Sequence, residues 1–166
     1  VVNLQTLVVS MGQNDFSLVK AMNLRCDSII ANQALNVGIT KCDMNGYQHT
    51  MVTTNTRGVG INRNVALFCS TADVVLFSDD DVIYNDDYRE KVLQAYASFP
   101  DADVIIFGID FIRNGKVYTR IVNKDQRLNP LKFGKYGAVV ISAKKAALMK
   151  NNIVFSTYFG GGSVYD

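Results

Sequence analysis

Residues 74–77 read Val-Val-Leu-Phe and run, after Ser78, into Asp79-Asp80-Asp81. An apolar run without alternation suits a strand buried on both faces, and such strands belong to sheets covered by helices on both sides. The three carboxylates that close it constrain the fold further. Adjacent like charges repel, most strongly beside a low-dielectric core, where each carboxylate would tend to take up a proton. A cation bound there would remove the conflict.

Short apolar, β-branched runs alternate with segments of helical period along the chain, the pattern of an α/β domain with a mainly parallel central sheet. Strands are expected at Leu4–Ser10, Ser28–Asn32, His49–Asn55, Asp73–Phe77, Asp103–Ile109 and Ala138–Ser142, with a more exposed one at Lys116–Val122. Asp15 can cap a helix reaching about Met22, with Phe16, Val19 and Met22 on one face. A second helix spans Ile61–Thr71, with Ile61, Val65 and Phe68 as its inward stripe. In a third, capped by Asn85 or Asp86, Tyr88, Val92, Tyr96 and Phe99 face inward and Pro100 ends the run. A short helix reaches Lys150. Residues 36–47, rich in Gly, Asn and Asp, read as loop, as does 123–136.

At 166 residues the chain is expected to be one domain with a real core. Its net charge of +2 is spread without blocks, which gives no argument for nucleic acid. The three cysteines, Cys26, Cys42 and Cys69, have no CxxC spacing and read as unpaired thiols of a reducing compartment. With no signal peptide and no apolar stretch near the roughly 18 to 20 residues of a membrane span, the expectation is a cytoplasmic protein, or one at the inner face of the membrane. His49 is the only histidine, which argues against a His-rich zinc site.

Four segments carry chemistry. The aspartates sit at the carboxyl end of a central strand, where open α/β sheets place ligands. While the chain stays extended, Asp79 and Asp81 project to one side and Asp80 to the other. Oxygen donors of this kind suit Mg²⁺ or Mn²⁺, and Mg²⁺ completes its shell with water and substrate phosphates. The bland alternative is a solvated turn capping the next helix. Gly58–Ala66, GVGINRNVA, lacks the third glycine of a dinucleotide fingerprint and the GK[ST] of a Walker loop. It is a glycine turn opening a helix with Arg63 and Asn64 in its first turn, a setting that favours an anion, although an arginine there also serves surface ion pairs. The loop Ser10–Asp15 could contact a base or ribose. Three glycines, Gly160, Gly161 and Gly162, permit close backbone approach, or make a flexible loop.

In this order the features resemble the family 2 glycosyltransferases of bacterial type, enzymes of the GT-A fold, over roughly Leu4 to Tyr165. The likeness rests on Ser10–Asn14, Asn32 with Gln33, Gly58 with Arg63, Asn64 and Ala66, and Asp79-Asp80-Asp81 after VVLF. It implies a Rossmann-like three-layer sandwich and an inverting transfer of sugar from a nucleotide-diphosphate donor, usually a UDP-sugar. The acceptor would be a carbohydrate or lipid-linked sugar, as in polysaccharide assembly. Ser10, Met11, Asn32, Arg63, Asp79 and Asp80 would bind the donor, Asp81 and Asp79 the Mg²⁺ or Mn²⁺, and Gly160–Gly162 would border the acceptor. Family members often carry the catalytic base in an ED motif after such a glycine loop. No ED occurs here, so the base is expected beyond Asp166. The rivals are a metal-dependent nucleotidyltransferase, disfavoured by the absence of Lys or Arg in MGQND, and a non-catalytic nucleotide-sugar or carbohydrate-binding module.

Overall fold

In a computed structural model that describes residues 2–114, 116–120, 125, 127–128 and 137–166, the central run is β5 (Val74–Asp79), buried until its last residue. It lies inside a seven-stranded sheet with β1 (Leu4–Met11), β2 (Asp27–Gln33), β3 (Gly38–Met44), β4 (Tyr47–Thr54), β6 (Val104–Ile106) and β9 (Ile141–Lys144), in the order β3-β4-β2-β1-β5-β9-β6. Strands β4, β2, β1 and β5 are mutually parallel, while β3 and β9 run against their neighbours. The expected mainly parallel α/β architecture is present.

Alternation along the strands divides the interior. Leu7, Ile29, Ala31, Val52, Val75 and Phe77 face one side, with Ala66 and Leu67 of α2 (Val59–Cys69) and Leu148 of α4 (Lys145–Lys150). On the other side, Val8, Ile30 and Met51 meet Leu18, Val19 and Met22 in and beside α1 (Ser17–Ala21), while Leu4, Val74 and Leu76 meet Tyr88, Val92 and Tyr96 of α3 (Tyr88–Ser98). Apolar burial on both faces supplies the main driving force, about 1.5–3 kcal/mol for each large side chain. No helix among the described residues is long and apolar enough to cross a membrane.

Several local expectations change. Residues 38–44, read as loop, form edge strand β3, joined to β4 by Asn45-Gly46, whose φ values of 55° and 82° make the mirror-image turn that hairpins favour. Its exposed polar faces hid it from a periodicity argument. The α2 stripe is shifted: Asn62, Ala66 and Leu67 are buried and Phe68 is 59% exposed. Neither Asn85 nor Asp86 caps α3 with its side chain; Asp86 pairs with Arg25 at 2.8 Å, and Phe99 is exposed. The expected strand at Asp103–Ile109 is only β6, at the sheet edge, followed by β7 (Ile109–Arg113), which pairs with β8 (Lys116–Arg120) as a separate hairpin. Ala138–Val140 is a 3-10 turn leading into β9. The loop expected at 123–136 falls almost wholly outside the described residues.

His49 on β4 is fully buried, with Nδ1 2.8 Å from Ser28 Oγ and Nε2 without a partner among the described residues. Burial holds the ring below its ordinary pKa of 6.5, so the folded protein keeps it neutral. The unfolded chain takes up a proton there near pH 6.5, so this contribution to stability is complete above that pH and is lost as pH falls toward the lower folded value. Thermal melts between pH 8 and 5 should show a stability loss that begins below about pH 6.5, and His49→Gln should flatten that part of the profile.

Candidate functional site

The parallel register brings the carboxyl ends of β1, β2 and β5 side by side, with Ser10 opposite Asn32, Met11 opposite Gln33 and Val9 opposite Asp79. Period-two alternation decides what each end residue faces. Asp79 continues the Val75–Phe77 face and meets α2, where Arg63 Nη2 donates to its Oδ1 at 2.7 Å. Asp80 turns to the opposite side, where its Oδ2 accepts from Ser10 Oγ at 2.6 Å. The strand ends at Asp79, and Asp80-Asp81 form a turn closed by Val82 N–H to Asp79 O at 3.4 Å. The extended-chain alternation therefore holds for Asp79 and Asp80 and stops before Asp81, which is exposed.

The guanidinium of Arg63 is mostly buried, lies 5.4 Å above the Phe155 ring, and leaves Nε without a partner among the described residues. A charge-assisted hydrogen bond in such a setting contributes about 1.5–3 kcal/mol, more than an exposed pair. Its neighbours on α2 hold the frame. Asn62 Nδ2 donates to Ser10 O at 3.2 Å and to Ala31 O at 2.8 Å, tying the ends of β1 and β2 to the helix. Asn64 clamps the backbone of Phe155 in both directions, each bond at 2.9 Å, and Phe155 packs edge-on against Phe77 at 4.9 Å.

The first loop is held by amides. Asn32 is fully buried; its Oδ1 accepts from Gln13 N at 3.0 Å and its Nδ2 donates to Gln13 O at 2.9 Å. Gln13 Nε2 in turn reaches Ser10 Oγ at 2.9 Å. Asn32 thus shapes the loop above β1, while Met11, 68% exposed, lies at the surface of the site. Gln33 Nε2 donates to Gly58 O at 3.2 Å.

The glycine loop packs on the start of α2. Val59 N–H donates to Gly161 O at 3.0 Å, and a Cβ on Gly160 would lie 2.9 Å from Val59 Cγ1. Gly58, at φ 113°, faces Ser163. Gly60 has no room at all, since a Cβ there would lie 1.9 Å from Ser156 O. The donor-side and acceptor-side segments inferred from sequence thus meet across one helix start. Gln13, Gly60, Asn62 and Phe155 were not singled out from sequence. GVGIN held a signal for two of them, whereas Phe155 meets Asn64 across 91 positions and carried none.

Among the described residues no group of three or more His, Cys, Asp or Glu converges to hold a metal ion. The carboxylate oxygens that remain are those of Asp81, the second oxygen of Asp79 and, on the opposite side of the strand, the second oxygen of Asp80. That set fits Mg²⁺ or Mn²⁺ only as an ion taking one or two carboxylates and filling its shell with water and phosphate.

Residues 39–155 match the family described as Glycosyl transferase family 2. Among solved structures, the chain is similar to S. aureus TarS 1-349, at 16% identity and a TM-score of 0.62 over 92% of this chain and 50% of that one. The same protein in complex with UDP matches at 15% identity and TM-score 0.67, covering 93% and 50%, and in complex with UDP-GlcNAc at 15% and 0.55, covering 93% and 48%. The chain spans about half the length of these structures. No curated protein matches it in sequence.

Gly60→Ala should force α2 away from the Ser156 backbone and cost about 1–3 kcal/mol by overpacking. Asn64→Ala should cost a similar amount, about 1–3 kcal/mol, by leaving the Phe155 amide and carbonyl unpartnered. Urea denaturation of both variants measures this, and a loss below 0.5 kcal/mol, on the order of an ordinary surface substitution, would contradict the interlocked packing.

Proposed function

The chain belongs to glycosyl transferase family 2, and on that premise we propose that it is the donor-binding part of an inverting transferase that moves a sugar from a UDP-linked donor to an acceptor hydroxyl. One observation carries the reading. At the carboxyl ends of β1 and β5, Arg63–Asp79 and Ser10–Asp80 form two linked polar contacts, and Asp81 stands free beside them. The fold shared with TarS in complex with UDP and with UDP-GlcNAc supports a uridine diphosphate sugar as donor.

In this reading the diphosphate lies over the ends of β1 and β5. Arg63 keeps a positive centre near it, anchored by Asp79 so that it need not reorganise as charge develops. Ser10 and Asn32 shape the loop that borders base and ribose, Asn32 through Gln13 and Met11 by its exposed side chain. Asp80, held by Ser10, faces the ribose side. Asp81, with the second oxygen of Asp79, would hold Mg²⁺ or Mn²⁺. A bound divalent ion would supply countercharge to the leaving diphosphate, an effect larger in the transition state than in the ground state. Gly160–Gly162 would border the acceptor, a carbohydrate or lipid-linked sugar, whose hydroxyl a carboxylate would deprotonate as general base.

The sparse carboxylate set gives the reading a sharp consequence: nucleotide and metal should bind interdependently. Calorimetry should find UDP binding with Mn²⁺ present, much weaker UDP binding with chelator, and little Mn²⁺ binding without UDP. Equal UDP affinity with and without metal would count against Asp81 as the ligand. Asp81→Ala should abolish the metal-linked affinity while leaving Tm unchanged or raised, because it removes one of three neighbouring like charges.

A further inference from the structure

The open edge of the sheet offers a surface that the transfer reaction does not use. Strand β3 pairs with β4 on one side and, among the described residues, with no strand on the other. Its residues 38–41 and 43 are exposed, and Cys42 and Met44 partly so. Unpaired strand edges attract other strands, and proteins blunt them with charge. Here the charges are Lys41 and Asp43, one on each side of Cys42.

Their placement favours one partner. The Asn45-Gly46 turn directs the Met44 carbonyl toward Tyr47, its partner in the ladder. Backbone groups alternate in direction along an antiparallel strand. The N–H and C=O groups of Ile39, Lys41 and Asp43 therefore point to the free edge. Two copies of β3 can meet antiparallel through these groups in several registers. Centring on Lys41 sets lysine against lysine, and centring on Asp43 sets aspartate against aspartate. Centring on Thr40 or Ile39 leaves both charges facing uncharged residues, whereas centring on Cys42 sets Lys41 of each copy opposite Asp43 of the other, twice, and is the register of these in which opposite charges face. It also makes Cys42 and its counterpart a non-hydrogen-bonded pair, whose Cα atoms lie about 4.5 Å apart, within the range a disulfide spans.

We infer that this chain self-associates through β3, two-fold about Cys42, extending the sheet across two copies. The two charge pairs exclude the neighbouring registers rather than supply affinity, since exposed pairs contribute little. The contact belongs to the small, weak class of interfaces. It leaves the nucleotide end open, because β3 lies three strands from β1, about 14 Å at ordinary strand spacing.

Sedimentation velocity up to millimolar protein concentration reads the association directly. The unaltered chain should dimerise. Lys41→Asp, which sets carboxylates against carboxylates, should weaken the dimer by about tenfold or more, and the exchange Lys41→Asp with Asp43→Lys should restore it. In a Cys69→Ser background, which removes the exposed thiol outside β3, oxidised glutathione should convert the dimer to a disulfide-linked one by accepting the two electrons. Cys42→Ser should abolish that product. A chain that stays monomeric throughout, or equal association of the single and exchanged charge variants, would overturn the proposal.

Discussion

The site depends on three consecutive polar side chains of one helix. Successive residues of an α-helix diverge by about 100°, so Asn62, Arg63 and Asn64 reach three different parts of the molecule. Asn62 goes down to the carbonyls at the ends of β1 and β2, Arg63 sideways to Asp79, and Asn64 across to the Phe155 backbone. Each of these partners would otherwise be a buried or half-buried polar group awaiting one, and leaving such a group bare costs about 1–3 kcal/mol. The helix therefore aligns the strand ends as well as packing on the sheet through Ala66 and Leu67.

That arrangement resolves much of the conflict posed by three adjacent carboxylates. Asp79 has a guanidinium within 2.7 Å and Asp80 has a hydroxyl within 2.6 Å, on opposite sides of the strand. Alternation separates the first two charges, and the turn carries the third away into solvent. The protein thus tolerates the trio with one carboxylate left uncommitted. Hydrogen-bond partners within the protein answer two of the three carboxylates, which leaves Asp81 for the metal in the function proposed above.

Sequence made the buried features readable and the exposed or distant ones obscure. Val74–Phe77 could be placed as a central strand because nothing but two-sided burial explains such a run. Strand β3 escaped because an edge strand with both faces in water shows no alternation, although Asn45-Gly46 marked its turn. The inward face of α2 was misplaced because Asn62 is one of its buried side chains, and an apolar stripe could not include an asparagine. Asn32, expected as a donor contact, is enclosed with Gln13, a placement that sequence spacing could not show. Its role could be seen only once the loop was closed over it.

The collision that bars any side chain at Gly60 has a temporal side. The groove it leaves is filled by Ser156 and Thr157, which leave the ribosome almost a hundred residues after it. Until then the start of α2 has a bare flank, Arg63 lacks the ring of Phe155 beneath it, and Asn64 has nothing to grasp. Contacts so far apart in the chain form late. A nascent chain could thus carry all three aspartates while the helix start beside them is still unsupported, so that this corner of the fold is completed only once Ser156 and Thr157 have emerged.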